Sequence, residues 1–365
     1  IRNLIRHASN GFDRSTADPC LYMKKETNGS PIILVLYVDD RLIAGNHHNI
    51  LQELKCKLKY AFSMKDLGNA ENILGIRIRR DRQIKLLFVS QDKYIEKVLE
   101  RFQMTGAKPS SITRKASITH NPKDKEETEK MQAIPYASGC GSLMYVMVST
   151  RPDIAYGIGV VRRFMSQPGQ SHWAAIKSIL DISKALGKEH FYGKGDLNLP
   201  CYFDSDMAGD VDTRKSTYGY IYTLAGGDIC SVNAATNRCT CYRILAYPAT
   251  EASKEAIWLT RLRSELGLPK QIPVLHCDNQ IVICLAKNPV HHERTKHIDI
   301  HYHFIREVIE DGQIQLVKID TTENPADCLT SVYQRHFTNN VVSYSNLAPF
   351  KWEVVGIKGP LGFFD

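Results

Sequence analysis

The hydrophobic pattern near the start of the chain predicts a β-hairpin. Ile32 to Val38 is an apolar run of mostly β-branched or aromatic residues, bounded by Pro31, and this composition is typical of a buried strand. Leu42 to Ala44 form a second apolar run, which we interpret as the returning strand. This pairing places two adjacent carboxylates, Asp39 and Asp40, at the tip of a tight turn.

Residues 1–108 mix helical and strand periodicities. The segment NILQELKCKLKYAF carries apolar residues at helical spacing, and ILGIRIRRDRQIKLLFVS alternates apolar and basic residues as two strands do. The segment SQDKYIEKVLERFQM predicts a further helix with Ile95, Val98 and Phe102 on its inner face. Together these patterns predict an α+β region.

Residues 109–196 predict a linker followed by a helical connection. The polar stretch KPSSITRKASITHNPKDKEETEK is typical of a linker. Helical patterns follow in YASGCGSLMYVMVSTRPDIAYGIGVVRRFMSQP and in SHWAAIKSILDISKAL. Pro152 falls in the turn or at the first helical position between two of these helices.

Residues 197–345 predict a mixed α/β domain, and residues 346–365 a tail. Strand patterns occur in LPCYFDSDMAGD, TYGYIYTLAGGDICSV and PVLHCDNQIVICLAKNP. Helical patterns occur in TEASKEAIWLTRLRSELGL and RTKHIDIHYHFIREVIEDG. The segment IQLVKIDTTENPADCLT predicts a last strand and a loop that enters a final helix.

Composition and charge limit the classes of protein. The chain has 365 residues, 43% hydrophobic and 24% charged, which predicts two or three globular domains. No apolar stretch is long enough to span a bilayer and no secretion signal is present, so we expect a cytoplasmic or nuclear protein without a membrane partner. The net charge of +8 favours a polyanionic partner, and the ten scattered cysteines indicate reduced thiols. Because Ile1 is not an initiator methionine, we expect the natural chain to begin further upstream.

The chemistry of the aspartate pair has two interpretations. Two adjacent carboxylates are unfavourable unless a cation neutralises them, and Mg²⁺ prefers such oxygen ligands. Aspartate is also common in turns without any metal. The apolar runs on both sides of Asp39 and Asp40 leave the two interpretations about equally favoured.

Two groups of basic or metal-binding side chains also leave alternatives open. A histidine cluster either contains a zinc site, since two of its members are one helical turn apart, or forms the surface of a helix. A row of arginines forms either a solvated face or a contact with template or primer phosphates. The cluster is His291, His292, His297, His301 and His303, and the row is Arg77, Arg79, Arg80 and Arg82.

Several long segments resemble the Pol polyprotein of copia-type LTR retrotransposons. They are ILVLYVDDRLIAGN, FSMKDLG, GSLMYVMVSTRPDIAYGIGVV, DNQIVICLAKNP, RTKHIDIHYHFIREVIEDGQI and NPADCLT. They follow the family's order and cover roughly residues 11–337. The resemblance implies a reverse transcriptase palm and thumb remnant in residues 1–108, the connection in 109–196, and a ribonuclease H-like mixed sheet with helices in 197–345. It also implies an RNA/DNA hybrid as partner, and further N-terminal reverse transcriptase, integrase and protease parts of the polyprotein.

The resemblance assigns roles to individual aspartates. Asp39 and Asp40 correspond to the family's polymerase hairpin, which binds catalytic Mg²⁺ together with a third aspartate far upstream, so we expect these 365 residues alone to lack polymerase activity. Asp204, Asp278 and Asp327 correspond to three of the four carboxylates that hold two Mg²⁺ ions in ribonuclease H. Taken singly, each of these three is better explained as a strand-end or N-cap carboxylate, and only their occurrence together in the family's order favours the role of metal ligand.

The fourth carboxylate is where the sequence departs from the family. Counted back from TEASKEAIWL without a gap, its position falls near Arg243 in CTCYRILAYPATEASKEAIWL. Pro248 is expected to break the helix that presents this ligand. Glu251 is the nearest acid, and it could serve only if the helix shifted by about two turns. We therefore expect an Mg²⁺ site that is incomplete and an impaired nuclease, with a non-catalytic relic or passive nucleic-acid binder as the alternative.

Overall fold

The protein is described by a computed structural model. The described residues are 11–25, 30–62, 64–104, 121–122, 124–185, 189–193, 197–210, 212–235, 241–287, 296–331 and 353–358. The chain divides into two compact units. Unit 1 comprises residues 1–87, 257–271 and 347–365, and unit 2 comprises residues 88–256 and 272–346. The four-part division drawn from the sequence stays a prediction.

Strands and helices alternate along the chain in the expected mixture. The strands are β1 (Asp13–Arg14), β2 (Leu21–Lys25), β3 (Pro31–Tyr37), β4 (Asp40–Gly45), β5 (Lys65–Asn69), β6 (Asn72–Ile73), β7 (Ile76–Asp81), β8 (Leu86–Ser90), β9 (His190–Tyr192), β10 (Pro200–Ser205), β11 (Thr217–Leu224), β12 (Gly227–Ala235), β13 (Val274–Cys277), β14 (Gln315–Lys318) and β15 (Glu353–Lys358). The helices are α1 (His48–Ala61), α2 (Asp92–Arg101), α3 (Lys125–Gln132), α4 (Tyr136–Ser149), α5 (Ala155–Val161), α6 (Gln170–Ala185), α7 (Cys241–Glu265), α8 (Gln280–Lys287), α9 (Lys296–Glu310) and α10 (Asp327–Thr330).

Unit 1 contains a six-stranded sheet in the order β1-β2-β3-β4-β15-β5. The predicted hairpin is present as β3 and β4, which pair antiparallel from Ile33 opposite Ala44 to Tyr37 opposite Asp40. The apolar run of β3 is buried on one face only: Ile32, Leu34 and Leu36 are buried, whereas alternate residues such as Tyr37 are exposed. The buried face packs against α1. The expectation of a wholly buried strand was therefore wrong.

The segment predicted as a tail contributes a strand to this sheet. β15 pairs antiparallel with β4 on one side and with β5 on the other. Val355 and Ile357 are buried in the same core as Leu34 and Ile43. The alternation of these two apolar residues with Gly356 and Lys358 is the local signal of a half-buried strand.

Helices of unit 2 form a core of their own. α2, α4, α5 and α6 bury a shared cluster that includes Leu99, Leu143, Ile158 and Ile176. Pro152 opens a 3₁₀ turn between α4 and α5, as the pattern predicted. The predicted linker differs, because its last part forms α3, whose N-terminal cap is the Asp124 carboxylate accepting from a backbone N–H at 2.8 Å.

A five-stranded mixed sheet is the centre of the other part of unit 2. Its order is β12-β11-β10-β13-β14. β11 pairs antiparallel with both β12 and β10, and β13 pairs parallel with both β10 and β14. α7 connects β12 to β13, and α8 and α9 connect β13 to β14. This is a mixed sheet with helices, so the expected mixed α/β class is confirmed.

Pro248 does not break α7. The helix runs unbroken from Cys241 to Glu265, although proline lacks the N–H that would bond to the carbonyl of residue 244. Four alanines at helical spacing are fully buried along this helix, and we attribute its continuity to that packing. The expected break was wrong because tertiary burial outweighs one lost hydrogen bond. The four are Ala246, Ala249, Ala252 and Ala256.

None of the helices in the described part of the chain is both long enough and apolar enough to cross a bilayer.

Candidate functional site

Two aspartates lie side by side at one edge of the mixed sheet. Asp204 is near the end of β10, and Asp278 directly follows the last residue of β13. β10 and β13 are parallel neighbours, with Phe203 opposite Cys277. Because the carboxyl ends of parallel strands meet at one edge of a sheet, this register brings the two carboxylates together.

Asp327 joins them from α10, and the three side chains interact electrostatically. Burial raises the pKa of the Asp204 carboxyl above its usual value, and the negative charges of Asp278 and Asp327 raise it further. A hydrogen bond from the Thr330 hydroxyl to the Asp204 carboxylate acts in the opposite direction. The mutual repulsion of the three carboxylates is the condition that a bound cation relieves.

A lysine shares this edge of the sheet. Lys318, the last residue of β14, donates from its ammonium to the backbone carbonyl of Asp278. The neighbouring thiol of Cys277 is affected by the same charges. Its pKa is raised to about 12, mainly by burial and further by the charges of Asp278 and Asp204, while the charge of Lys318 lowers it. The sequence offered no signal for this lysine, since its place beside the aspartates depends on the pairing of β13 with β14.

The donor set fits Mg²⁺ in its chemistry, because all three side chains supply the hard oxygen ligands that this ion prefers. The three carboxylates are nevertheless not gathered into a ready coordination group. Within the described residues, no three His, Cys, Asp or Glu side chains are placed so that they could hold one metal ion.

Glu251 forms an ion pair within its own helix. Its carboxylate accepts from the ammonium of Lys254 at 2.7 Å, and its charge raises the pKa of Tyr218. No interaction among the described residues joins Glu251 to the three aspartates. Arg243 lies in α7, but its side chain is outside the described residues, so the expectation that it occupies the position of the fourth carboxylate stays a prediction.

The hairpin in unit 1 places its carboxylates differently from the prediction. The tip of the turn is Val38 and Asp39, and Asp40 is already the first residue of β4. Val38 has a φ of +49°, a left-handed conformation that is unfavourable for a β-branched residue. Asp39 is exposed, and the half-buried Asp40 has the ammonium of Lys358 at 3.5 Å.

Arg41 is a feature of this hairpin that sequence reasoning missed. Its side chain is only 1% exposed, at a position that alternates with the buried Ile43. Burial lowers the pKa of Arg41, and the charges of Asp39 and Asp40 oppose that effect. The sequence did contain a signal for this burial, because Arg41 alternates with the apolar Ile43 and so falls on the inward face of the predicted strand, where a basic residue is unusual.

The basic and histidine groups keep their open interpretations. Arg77, Arg79 and Arg80 lie on β7, where exposed residues alternate with half-buried ones. His301 lies in α9 with its ring 5.2 Å from that of Tyr247. His291 and His292, and the side chain of His297, lie outside the described residues, so the zinc interpretation stays a hypothesis.

Comparison with known proteins gives matches along most of the chain. Residues 4–116 match the family described as reverse transcriptase (RNA-dependent DNA polymerase). The chain is 46% identical over 336 residues to the retrovirus-related Pol polyprotein from transposon TNT 1-94 of Nicotiana tabacum, a match that covers 90% of this chain and 25% of that protein. It is 34% identical over 348 residues to the corresponding polyprotein from transposon RE1 of Arabidopsis thaliana, covering 91% of this chain and 23% of that protein.

Among solved structures, ribonuclease H1 from the halophilic archaeon Halobacterium salinarum matches with 16% identity and a TM-score of 0.29, over 36% of this chain and 94% of that one. The curated relatives above define the class, a segment of a retroelement polyprotein. The chain belongs to the Pol polyproteins of copia-type LTR retrotransposons, so the resemblance seen in the sequence is confirmed. It spans about a quarter of the length of those relatives.

Proposed function

We propose that unit 2 is an Mg²⁺-dependent nuclease that acts on the RNA strand of an RNA/DNA hybrid, with impaired activity in this chain. The proposal rests on one observation: Asp204, Asp278 and Asp327 lie near one edge of the mixed sheet, close enough for the charges of Asp278 and Asp327 to raise the pKa of Asp204. In this role the three carboxylates would hold the metal ions. Bound Mg²⁺ would activate the attacking water and stabilise the leaving 3′-oxygen of the scissile phosphate.

The residues around the carboxylates support the same role. Lys318 adds a positive charge at the edge where a phosphate would approach. The Thr330 hydroxyl and the Ser205 backbone N–H both donate to the Asp204 carboxylate, whose two oxygens have about four lone-pair sites, so acceptor capacity remains for a metal ion. A substrate backbone that carries negative charge is also consistent with the net charge of +8.

The impairment follows from the fourth carboxylate. Glu251 is paired with Lys254, and the counted position of the family ligand holds Arg243. Loss of one ligand weakens at least one metal position, because Mg²⁺ gives up its waters reluctantly and needs near-ideal oxygen geometry. We therefore expect cleavage that is very weak, with rates reduced on the order of 10²-fold or more when ligands are displaced by about 1 Å.

The hairpin would supply two metal ligands of the polymerase site, Asp39 and Asp40, in a longer polyprotein. Lys358 and Arg41 offset part of the charge of these two carboxylates, so a divalent ion would compete with both cations. The proposed partners are an RNA/DNA hybrid and the other parts of the polyprotein, including integrase and protease. A cytoplasmic or nuclear location would match these partners.

A labelled RNA/DNA hybrid with Mg²⁺ or Mn²⁺ tests the nuclease. We expect faint cleavage that Asp204→Asn and Asp278→Asn abolish, while Asp311→Asn, an exposed aspartate after α9, has no effect. Arg243→Glu restores an acid at the counted position and should increase the rate. Robust cleavage by the unaltered chain would contradict the impairment, and cleavage that survives both site variants would contradict the site.

The second candidate function is passive binding of nucleic acid. It is favoured by the pairing of Glu251 with Lys254, which leaves the carboxylate set short of one member. Hybrid binding by the unaltered chain, with no cleavage in Mg²⁺ or Mn²⁺ and none gained by Arg243→Glu, would identify this function.

A further inference from the structure

We infer that Asn324 and Thr330 form a two-point clamp that holds Asp327 against Asp204. The two residues bracket Asp327 in sequence, and each reaches back to β10, the strand that carries Asp204. The inference rests on the proposed function in taking Asp204 and Asp327 as metal ligands. Thr330 and Asn324 are then positioning residues for these two carboxylates. Neither residue would touch the substrate or the metal ion.

The first point of the clamp is the Asn324 side-chain amide. Asn324 is only 5% exposed, and its Nδ2 donates to the backbone carbonyl of Phe203 at 3.2 Å. Its Oδ1 accepts from the backbone N–H of Ala326 at 3.2 Å. One buried amide therefore joins the strand residue before Asp204 to the chain residue before Asp327.

The second point is the Thr330 hydroxyl. Thr330 is 3% exposed, and its Oγ1 donates to the carboxylate of Asp204. The same oxygen lies 3.2 Å from the backbone carbonyl of Asp327. A hydroxyl bond to a carboxylate is charge-assisted and directional, so it sets the orientation of the Asp204 side chain relative to α10.

Packing keeps the clamp in register. Leu329 lies directly on Gly219, the residue opposite Asp204 on β11, and a Cβ added at Gly219 would clash with the Leu329 Cβ. Asn233 on β12 donates from its side-chain amide to the Leu329 carbonyl. Leu329 also shares a buried cluster with Ile221 and Cys328. α10 is too short to hold its place by helix formation, so these contacts to the sheet hold it.

The clamp has a consequence for metal binding. Carboxylates that bind metals are oriented by hydrogen bonds from surrounding residues, and removal of such partners costs about 10- to 100-fold in metal affinity. Thr330→Val removes the hydroxyl and keeps the branched shape, whereas Thr330→Ser keeps the hydroxyl. Only loss of the hydroxyl should weaken the site.

Two readouts on the full chain test the clamp. The first is amide hydrogen exchange without metal, followed at the N–H groups of Asp327, Leu329 and Ser331, which donate within this segment. We expect exchange at least about tenfold faster in Thr330→Val and in Asn324→Ala, and unchanged in Thr330→Ser. The second is Mn²⁺ binding followed by electron paramagnetic resonance, with affinity about tenfold weaker in Thr330→Val and near that of the unaltered chain in Thr330→Ser.

The outcomes separate the clamp from the proposed nuclease. Exchange in Thr330→Val and Asn324→Ala equal to that of the unaltered chain overturns the clamp, whatever the cleavage assay shows. If the unaltered chain binds no Mn²⁺, the nuclease proposal fails and the exchange rates still decide the clamp. If Thr330→Val does not fold, Thr330→Ala and Asn324→Ala replace it, and unchanged exchange in both overturns the clamp.

Discussion

At the scale of single residues, charge and burial determine what each acidic site can do. The Asp204 carboxylate is held in a buried environment beside two other carboxylates, and hydrogen bonds from the Thr330 hydroxyl and the Ser205 backbone N–H offset part of that cost. Asp40 has a lysine ammonium beside it, and Arg41 is buried next to it in β4. A metal ion entering either site must therefore compete with cations and hydrogen-bond donors that the protein itself supplies.

We expect the stability of the metal-free chain to depend on pH through Asp204. Its pKa is raised in the folded state, so the folded form favours the protonated carboxyl. The stability from this group is fully present below the unfolded pKa of about 3.9, and it is lost as pH rises through the higher folded value. Asp204→Asn should then raise the free energy of unfolding at pH 7 and change it much less at low pH, where the carboxyl is protonated in both states. Calorimetry in EDTA at pH 7 and at the lowest pH where the chain stays folded checks this, and an equal gain at both values contradicts it.

Arg41 offers a second test at this scale. Burial of the Arg41 guanidinium costs desolvation, and removing its charge leaves no buried unpaired carboxylate, because Asp39 is exposed and Asp40 is half-buried beside Lys358. We expect Arg41→Met to be at least as stable as the unaltered chain in urea denaturation, and Arg41→Ala to be less stable because it leaves a cavity. A loss of about 2 kcal/mol or more in Arg41→Met would mean that the hydrogen bonds of the guanidinium outweigh its desolvation.

At the scale of secondary-structure elements, packing decided where helices and strands persist. α7 continues through a proline because its alanine face is buried, and β15 is a strand because the sheet has a place for it between β4 and β5. α3 forms from a highly polar stretch, helped by the cap from Asp124 and by an ion pair between Lys130 and Glu126 at 2.7 Å.

The proline in α7 predicts a stabilising substitution. Pro248→Ala restores one backbone hydrogen bond and removes the ring that crowds the preceding turn, a defect that costs up to about 3 kcal/mol in helix interiors. We expect a gain of roughly 1–3 kcal/mol in the free energy of unfolding. The matched control is Pro152→Ala, at a position where proline suits the start of a turn, and it should bring no gain. Equal effects of the two substitutions would show that α7 has already adapted to its proline.

At the scale of the whole molecule, the excess of positive charge should govern nucleic-acid binding. Cations that contact phosphates release counterions, so affinity falls as salt concentration rises. We expect anisotropy titrations with a labelled RNA/DNA hybrid to show affinity that falls by at least about tenfold between 50 mM and 200 mM salt, which corresponds to only a few phosphate contacts. Affinity that is independent of salt would rule out a phosphate-led mode of binding.

Local pattern in the sequence was enough for the hairpin and the mixed α/β class, whereas the roles expected for three aspartates came from the family resemblance. Alternating and helical periodicities depend on neighbours a few residues apart, and long family motifs carry the order of the domains. Asp204, Asp278 and Asp327 were singled out only by the order of the family motifs around them, because each one alone is typical of a strand end or a helix cap. Their convergence was an implication of the family, and the parallel register of β10 and β13 accounts for the first two.

Only the tertiary structure decided the features that depend on distant residues. β15 joins a sheet whose other strands lie about 280 residues or more earlier in the chain, so units 1 and 2 are discontinuous in sequence and the predicted tail is a strand. Pro248 is tolerated, Arg41 is buried, and Thr330 reaches Asp204 from 126 residues away. Periodicity and propensity record local preferences, whereas these outcomes are set by the free energy of contacts between segments that the sequence places far apart.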